Sequence, residues 1–342
     1  MRRSSKLLVV SLLVNALYAP VGNAQRGPVQ LDLPTIAAYE ASLSVLVAEA
    51  AGHFRGEGVE IGRLIFTGGT SIRSLLIGGR VPFGVLGTEH LPLARLAGAP
   101  LKGVVATYDL PNIALMVRSA LRGEVRSVAD LKGRTIGISA PGSYSWSMTI
   151  TYLKKAGLDP ERDVRLLPLG TDAGVLYTAL QTGRVDALAW SEPVMSRAEQ
   201  DGVAFVLVNI FDRNVARRWM GTDRVLSNVL ATTEGVIRTQ PEVVAAMVRA
   251  VQKGLAYIRS HSSQEIVQLV SGNPKTAQLF QGVAPELAVK MVNRIRHGYG
   301  TGCLSRTGYE VELRRMMETG VIKQPVPFEE ALEPRWAGVC AR

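Results

Sequence analysis

Four histidines, His53, His90, His261 and His297, are scattered through the 342 residues, and none stands at metal-ligand spacing from a Cys, Asp or Glu. His90 directly follows Glu89, a pairing that suits the start of a helix better than a catalytic couple. A Gly-x-Ser-x-Gly elbow, a Gly-x-x-x-x-Gly-Lys-Ser/Thr loop and a Gly-x-Gly-x-x-Gly turn after a strand are all absent. The polar chemistry sits instead in short loops rich in glycine and hydroxyls. Gly68-Gly69-Thr70-Ser71 and Pro141-Gly142-Ser143 each precede a helical pattern. Unpaired N–H groups and the dipole at a helix start favour a ligand oxygen or an anion. Tyr39, Tyr144, Trp146 and Trp190 offer apolar walls, although the same residue types also fill cores. This is chemistry for holding a molecule.

The loops recur because the chain is duplicated. Up to His90 it reads strand (29–36), loop (37–42), helix (43–51), strand (59–66), turn, helix (72–77), strand (83–86). The order returns as strand (135–139), loop (140–144), helix to 156, strand (164–169), turn, helix, strand (187–190). Gly52 and Val59 map onto Gly157 and Val164 with an offset of 105, and Gly79 and Arg80 onto Gly183 and Arg184 with an offset of 104. One residue is lost in a turn, where loops absorb such changes. Strands separated by a helix pair in parallel, and ligands sit beyond the carboxyl ends of such strands. That rule selects loops 37–42, 67–71 and 87–90 in the first unit, and 140–144, 169–172 and 190–193 in the second. The candidate ligand residues are Tyr39, Ser42, Gly69, Thr70 and Thr88 from the first, Gly142, Ser143, Tyr144, Trp190 and Glu192 from the second, and Asn112 between them. Glu40, Glu89, Asp172 and Glu192 oppose a purely anionic ligand unless they point outward or meet an amine on it.

Runs 101–107 and 112–118 are β-rich, and Pro111 between them suits a hinge. A further run at 228–232 is expected to pair with 112–118, giving two crossings between lobes. Residues 212–227 show no clear period. From Pro241 the chain turns helical, with patterns at 241–258, 274–281, 285–296 and 305–318, then an extended tail around Pro325, Pro327 and Pro334. This part is expected to pack on the first lobe. The reading is an α/β chain of two lobes, 26–112 with 226–342, and 113–225, with the ligand cleft between them.

Arg2, Arg3 and Lys6 ahead of the apolar stretch 7–19, with Gly22-Asn23-Ala24 following, form a secretory signal cleaved near Ala24. Thirteen apolar residues are too few to span a bilayer core of about 30 Å. Three of the 39 basic residues leave with that segment, so 36 remain against 29 acidic. The excess is spread out and lacks aromatic interleaving, which excludes nucleic acid as the expected partner. In an oxidising compartment Cys303 and Cys340 can pair and pin the tail; the alternative is two unrelated thiols.

Residues 48–60 (AEAAGHFRGEGVE), 66–70 (FTGGT), 98–102 (GAPLK), 129–133 (ADLKG) and 182–187 (TGRVDA) resemble the periplasmic substrate-binding proteins of ABC importers for nitrate, sulfonates and taurine. These are related to binding proteins for the thiamine pyrimidine precursor. The resemblance implies a two-lobed periplasmic-binding-protein type II fold, each lobe a mixed, mostly parallel sheet flanked by helices, with two crossing strands as hinge. It implies a monomer in the periplasm that closes on a small anionic or zwitterionic solute and delivers it to a permease in the inner membrane, without cofactor or metal. Two other readings share the scaffold. One is a pyrimidine-synthase type enzyme consuming pyridoxal phosphate, for which the cleft loops offer no Lys and the chain lacks the family's cysteine-rich cluster. The other is a ligand-loaded sensor for a membrane kinase.

Overall fold

The computed structural model describes residues 27–99 and 101–341, so the expected signal lies outside the described residues. The first half contains β1 (Val29–Ile36), α1 (Tyr39–Ala50), α2 (His53–Gly56), β2 (Val59–Thr67), α3 (Gly69–Ile77), β3 (Phe83–Gly87), α4 (His90–Leu96) and β4 (Leu101–Tyr108). The chain then crosses to β5 (Ala114–Arg118), β6 (Thr135–Ile138), α5 (Tyr144–Lys155), β7 (Arg165–Pro168), α6 (Ala173–Gln181), β8 (Ala187–Trp190), α7 (Val194–Gln200), β9 (Ala204–Val208) and α8 (Arg213–Met220). It returns through β10 (Asn228–Thr233) to α9 (Glu234–Thr239), α10 (Pro241–Ser260), α11 (Ser263–Gly272), α12 (Pro285–Ile295), α13 (Arg306–Glu318) and α14 (Phe328–Ala331).

Two five-stranded sheets result, ordered β2-β1-β3-β10-β4 and β7-β6-β8-β5-β9. The orders are the same if β10 is matched with β5. In each sheet the fourth position is held by an antiparallel strand that has just crossed from the other lobe. The expected pairing of 228–232 with 112–118 does not occur. β10 is instead wedged between β3 and β4, and β5 between β8 and β9, where each has two hydrogen-bonding neighbours rather than one.

One apolar core runs through both sheets and includes Leu33, Leu46, Phe83, Tyr108, Leu110, Ile113, Ile136 and Leu188. A second core lies on the other face of the first sheet. There Ile72, Leu76 and Leu91 meet Tyr309, Phe328 and Leu332 from the tail. α10 begins at Pro241, whose missing N–H is harmless at a helix start, and lies along α1. Cys303 and Cys340 form a disulfide, with Cα atoms 5.0 Å apart. It closes the tail beside the bridge between Leu304 and Val339.

Several elements depart from the sequence reading. α1 starts at Tyr39, not 43, because Ala38 caps it with no side-chain bond and residues 39–48 are all buried, which hides the helical period. α3 likewise starts at Gly69. The featureless stretch 212–227 holds α8, whose short apolar stripe Val215, Ala216, Trp219 and Met220 is interrupted by Arg217 and Arg218; Asp212 caps it through bonds from Asn214 and Val215 N–H. α11 is opened by a Ser262–Glu265 capping box that the apolar pattern did not reveal. The pattern at 274–281 is only a 3₁₀ turn, Ala277–Phe280.

Candidate functional site

The loops after β1, β2 and β3 and those after β6, β7 and β8 lie at the carboxyl ends of parallel strands in the two sheets. The two crossings run side by side and are stitched together. Val225 N–H donates to Asp109 O (2.7 Å), Ser227 N–H to Tyr108 O (3.2 Å), and the Ser227 hydroxyl to Leu110 O. Thr88 N–H donates to Ser227 O (2.8 Å), tying the loop after β3 to the return crossing.

Among the described residues ten buried side-chain polar atoms have no hydrogen-bond partner, and five of them belong to the strand-end loops or the first crossing: Glu40 Oε2, Thr88 Oγ1, His90 Nδ1, Asn112 Oδ1 and Tyr144 OH. They come from the first turn of α1, the loop after β3, the start of α4, the first crossing and the start of α5. Buried polar groups are nearly always paired, so a group of unpaired ones marks a place where a partner is due.

Glu40 is 0% exposed. Its Oε1 accepts Asn112 Nδ2–H (3.0 Å), and the same amide points its N–H toward Asn228 Oδ1 at 3.5 Å. The Ser191 hydroxyl, from the loop after β8, approaches the same carboxyl, so both lobes meet at Glu40. Burial pushes Glu40 up to about 8, and the negative charge of Glu192 adds to that rise. Glu40 is a neutral acid at pH 7.

On the other side of the crossings, Arg315 of α13 donates to both oxygens of Glu312 and to the Ser147 hydroxyl of α5. Its guanidinium lies 4.7 Å from the centre of the Tyr144 ring. Burial, with Glu312 nearby, lifts Glu89 to about 7, against the opposing pull of Arg315 and Arg73. Burial and Arg73 push His90 down to about 3, leaving a neutral imidazole.

The residues expected to bind ligand fall into three groups. Thr88, Asn112 and Tyr144 carry unpaired buried atoms in the region just described. Others are already spent. Ser42 lies inside α1 and donates to Ala38 O (2.9 Å). Ser143 caps α5 by accepting Trp146 N–H (3.2 Å) and is linked to the Ser139 and Ser145 hydroxyls. Glu192 Oε2 accepts Ser196 N–H (2.9 Å), while its Oε1 accepts the Ser196 hydroxyl (2.7 Å) and Arg294 Nη1–H (3.0 Å). Tyr39 is buried edge-on against Phe280, ring centres 5.5 Å apart. The third group is placed by backbone needs or exposure. The space beside Gly69 is taken by His90, whose Nε2 would lie 2.2 Å from an added Cβ. Gly142 has φ +75°, a conformation only glycine adopts freely. Thr70 is exposed, and Trp190 ends β8 packed partly into the main core. Asp172 is the cap of α6.

Glu40, His90, Ser191 and Ser227 were not among the expected ligand residues. Glu40 was legible only as a carboxylate that opposes an anion. Arg294 and Arg315 lie about 250 residues away from Glu40 in sequence, and no local pattern links them to these loops. Among the described residues no group of three His, Cys, Asp or Glu side chains is placed to hold a metal ion. A cavity of about 130 Å³ lined by Lys155, Trp219, Arg314 and Arg315 borders none of the strand-end loops and is not the candidate site.

Two similar five-stranded sheets joined by two crossing segments define a periplasmic-binding-protein type II fold. Residues 41–265 match the family described as NMT1/THI5 like, and the chain belongs to that family. A relative is the riboflavin-binding protein RibY of Chloroflexus aurantiacus, 23% identical, spanning 95% of this chain and 94% of that protein. A solved structure from Bordetella bronchiseptica RB50 matches with a TM-score of 0.74 and 21% identity over 90% of this chain and 95% of that one. The alkanesulfonate-binding protein SsuA of Xanthomonas axonopodis pv. citri, bound to MOPS, matches with a TM-score of 0.69 and 19% identity, covering 90% of this chain and 99% of that one. The chain is thus similar to substrate-binding components of ABC importers.

Proposed function

We propose that the chain is a periplasmic solute receptor. It captures one small polar organic solute between its lobes and delivers it to the permease of an ABC importer, as a monomer and without a chemical step. The observation that carries this reading is the set of five unpaired buried atoms, Glu40 Oε2, Thr88 Oγ1, His90 Nδ1, Asn112 Oδ1 and Tyr144 OH, contributed by both lobes and a crossing. Each leaves about 1–3 kcal/mol of desolvation uncompensated, which matching groups on a solute recover. Glu192 and Glu312 are ion-paired with Arg294 and Arg315, and burial keeps Glu40 uncharged. A neutral or zwitterionic organic solute therefore suits the crevice better than a bare anion such as nitrate.

The test is a thermal-shift screen of the mature chain against riboflavin, pyrimidines, taurine, alkanesulfonates, small carboxylates and nitrate. A solute at about 100 times its Kd adds about 2.7 kcal/mol of stability. Absence of a shift with every solute, for a protein with a cooperative melt, would sink the reading.

A further inference from the structure

The stretch from α12 to α13 is anchored in the first lobe. Ala106 N–H donates to Gly302 O (2.9 Å), Asp109 N–H to Gly298 O (2.7 Å), and the Tyr299 hydroxyl to Glu40 O (3.0 Å). The link between the two helices is thus held by β4, the first crossing and α1. Cys303 and Leu304 are fixed to the tail, and Tyr309 of α13 is buried in the second core. Both helices nevertheless end on the second lobe. Arg294, in the last turn of α12, donates to Glu192 Oε1 (3.0 Å), to the Ser196 hydroxyl (2.9 Å) and to Glu199. Arg315, in the last turn of α13, donates to the Ser147 hydroxyl of α5 (2.5 Å) and lies over the Tyr144 ring. Further along, Lys154 of α5 donates to Glu318 O (2.9 Å), and Arg213 of α8 donates to His297 O.

A rotation of the lobes about the crossings has to break these bonds, because the helices that carry them stay with the first lobe. The bonds are made between the chain's own groups and need no solute. Glu192 and Arg315 are buried, so salt screens their contacts little, and hydrogen bonds to charged groups are the stronger kind. The Ser191 hydroxyl approaches Glu40 from the second lobe, so strand-end loops of the two lobes are in contact as well. We propose that α12 and α13 form a clasp: the lobes rest closed, held through Arg294 and Arg315, and a solute enters only when the clasp releases. Its role in solute capture rests on the receptor reading above; the bonds themselves do not. The clasp meets the candidate site at two points. Tyr144, under Arg315, carries one of the unpaired buried hydroxyls, and Glu192, held by Arg294, follows Ser191, which reaches Glu40. A solute that pairs with either side chain acts on the same elements as the clasp.

The test is the distance between the lobes in the mature chain, freed of any co-purified solute by partial unfolding and dialysis. Spin labels on ketone-bearing residues, which spare the disulfide, are placed at Ser71 and Val175, exposed positions in the first turns of α3 and α6. Pulsed EPR is expected to give the parent one narrow distance. Ser147→Ala with Lys154→Met removes the bonds that α5 makes to α13. It should raise the ratio of open to closed molecules about 10- to 100-fold, as the loss of a hydrogen bond to a charged group implies. Glu192→Gln, Arg294→Met, Glu312→Gln and Arg315→Met together remove both halves of the clasp without leaving Glu192 or Glu312 as a buried charge alone. That quadruple variant should be mostly open, with its fold checked by a cooperative melt. A parent that is mostly open without solute overturns the proposal, and so does a folded quadruple variant whose distances match the parent's. If the quadruple variant does not fold, the double variant decides, and unchanged distances there overturn the clasp. Each of these failures leaves the receptor reading standing, because the thermal-shift screen alone decides that reading.

Discussion

Glu192 and Arg294 form a buried ion pair, Oε1 to Nη1 at 3.0 Å, with the Glu192 side chain 0% and Arg294 15% exposed. Glu192 precedes α7 in the second lobe. Arg294 ends α12, which reaches the first lobe through α11 and α1. The same guanidinium also reaches Ser196 and Glu199. On the opposite rim Arg315 of α13 reaches Ser147 and the face of Tyr144 on α5. Two successive helices of the C-terminal segment thus each place an arginine on a helix of the second lobe.

Removing one partner of this pair strands the other. Arg294→Met is expected to lower the unfolding free energy by about 3–5 kcal/mol, because Glu192 stays buried without its cation. Glu192→Gln combined with Arg294→Met recovers much of that loss. Urea denaturation of the two variants checks this, and equal stability of the single and double variants would show that the pair is not the cause.

His90 and Gly69 give a steric prediction. A methyl group at position 69 would lie 2.2 Å from His90 Nε2, and the buried ring has little room to retreat. Gly69→Ala is expected to lose about 1–3 kcal/mol through overpacking. Gly69→Ala with His90→Ala should lose no more than His90→Ala alone. Additive losses in thermal melts would place the strain elsewhere.

These two cases also show what a sequence can reveal. The duplication, β1 at 29–36 and β8 at 187–190, and the loops to search all followed from period and offset, because strands and their turns are coded locally. The internal partners of Ser42 and Glu192 were not legible in the same way. Ser42 bonds within a helix turn that full burial concealed, and Glu192 meets Arg294 from 102 residues away. Glu40 was visible as a carboxylate, but its burial depends on Asn112, Ser191 and Tyr299 arriving from three other parts of the chain. A pairing of that kind has no period.

Three raised acids, Glu40, Glu89 and Asp109 (pushed up to about 6), give stability a defined pH dependence, and the first two still release protons above about pH 6.5. Glu40 sits at about 8 and Glu89 at about 7 in the folded chain, against 4.5 for an ordinary glutamate. Between those values the folded state holds protons that the unfolded state has released, so the contribution of these two groups to stability is greatest below about 4.5 and falls as pH rises. His90, pushed down to about 3, works the other way up to its ordinary 6.5 and is then silent. The net fall is therefore clearest from about pH 6.5 to 8, at roughly 1 kcal/mol per pH unit. Glu40→Gln flattens it. Denaturant midpoints across that window are the measurement, and a parent curve as flat as the variant's would show that Glu40 is ionised when folded.

The disulfide between Cys303 and Cys340 spans 37 residues, enclosing α13, α14 and the tail that covers the second core. Opening it frees that loop in the unfolded chain. Cys303→Ala with Cys340→Ala should lower stability by about 2–4 kcal/mol. Native hydrogen exchange of the variant should rise first at Tyr309, Phe328 and Leu332. Protection unchanged at those amides would mean that core packing alone holds the tail.

Thr88 separates stability from function. Its Oγ1 is buried and unpaired at 1% residue exposure, while its backbone N–H holds Ser227 O. Thr88→Val keeps the shape and the backbone bond but replaces the hydroxyl with a methyl. A desolvated, unpaired hydroxyl is unfavourable by about 1–3 kcal/mol, so the variant should be the more stable protein without solute. With solute the order reverses. If the hydroxyl pairs with the bound molecule, its loss weakens binding about 5- to 150-fold, and the stabilisation that solute gives the parent shrinks by the same free energy. Melting curves with and without solute measure both effects in one experiment. A rise in melting temperature with unchanged affinity would remove Thr88 from the site. A fall without solute would mean that the hydroxyl has a partner inside the folded chain.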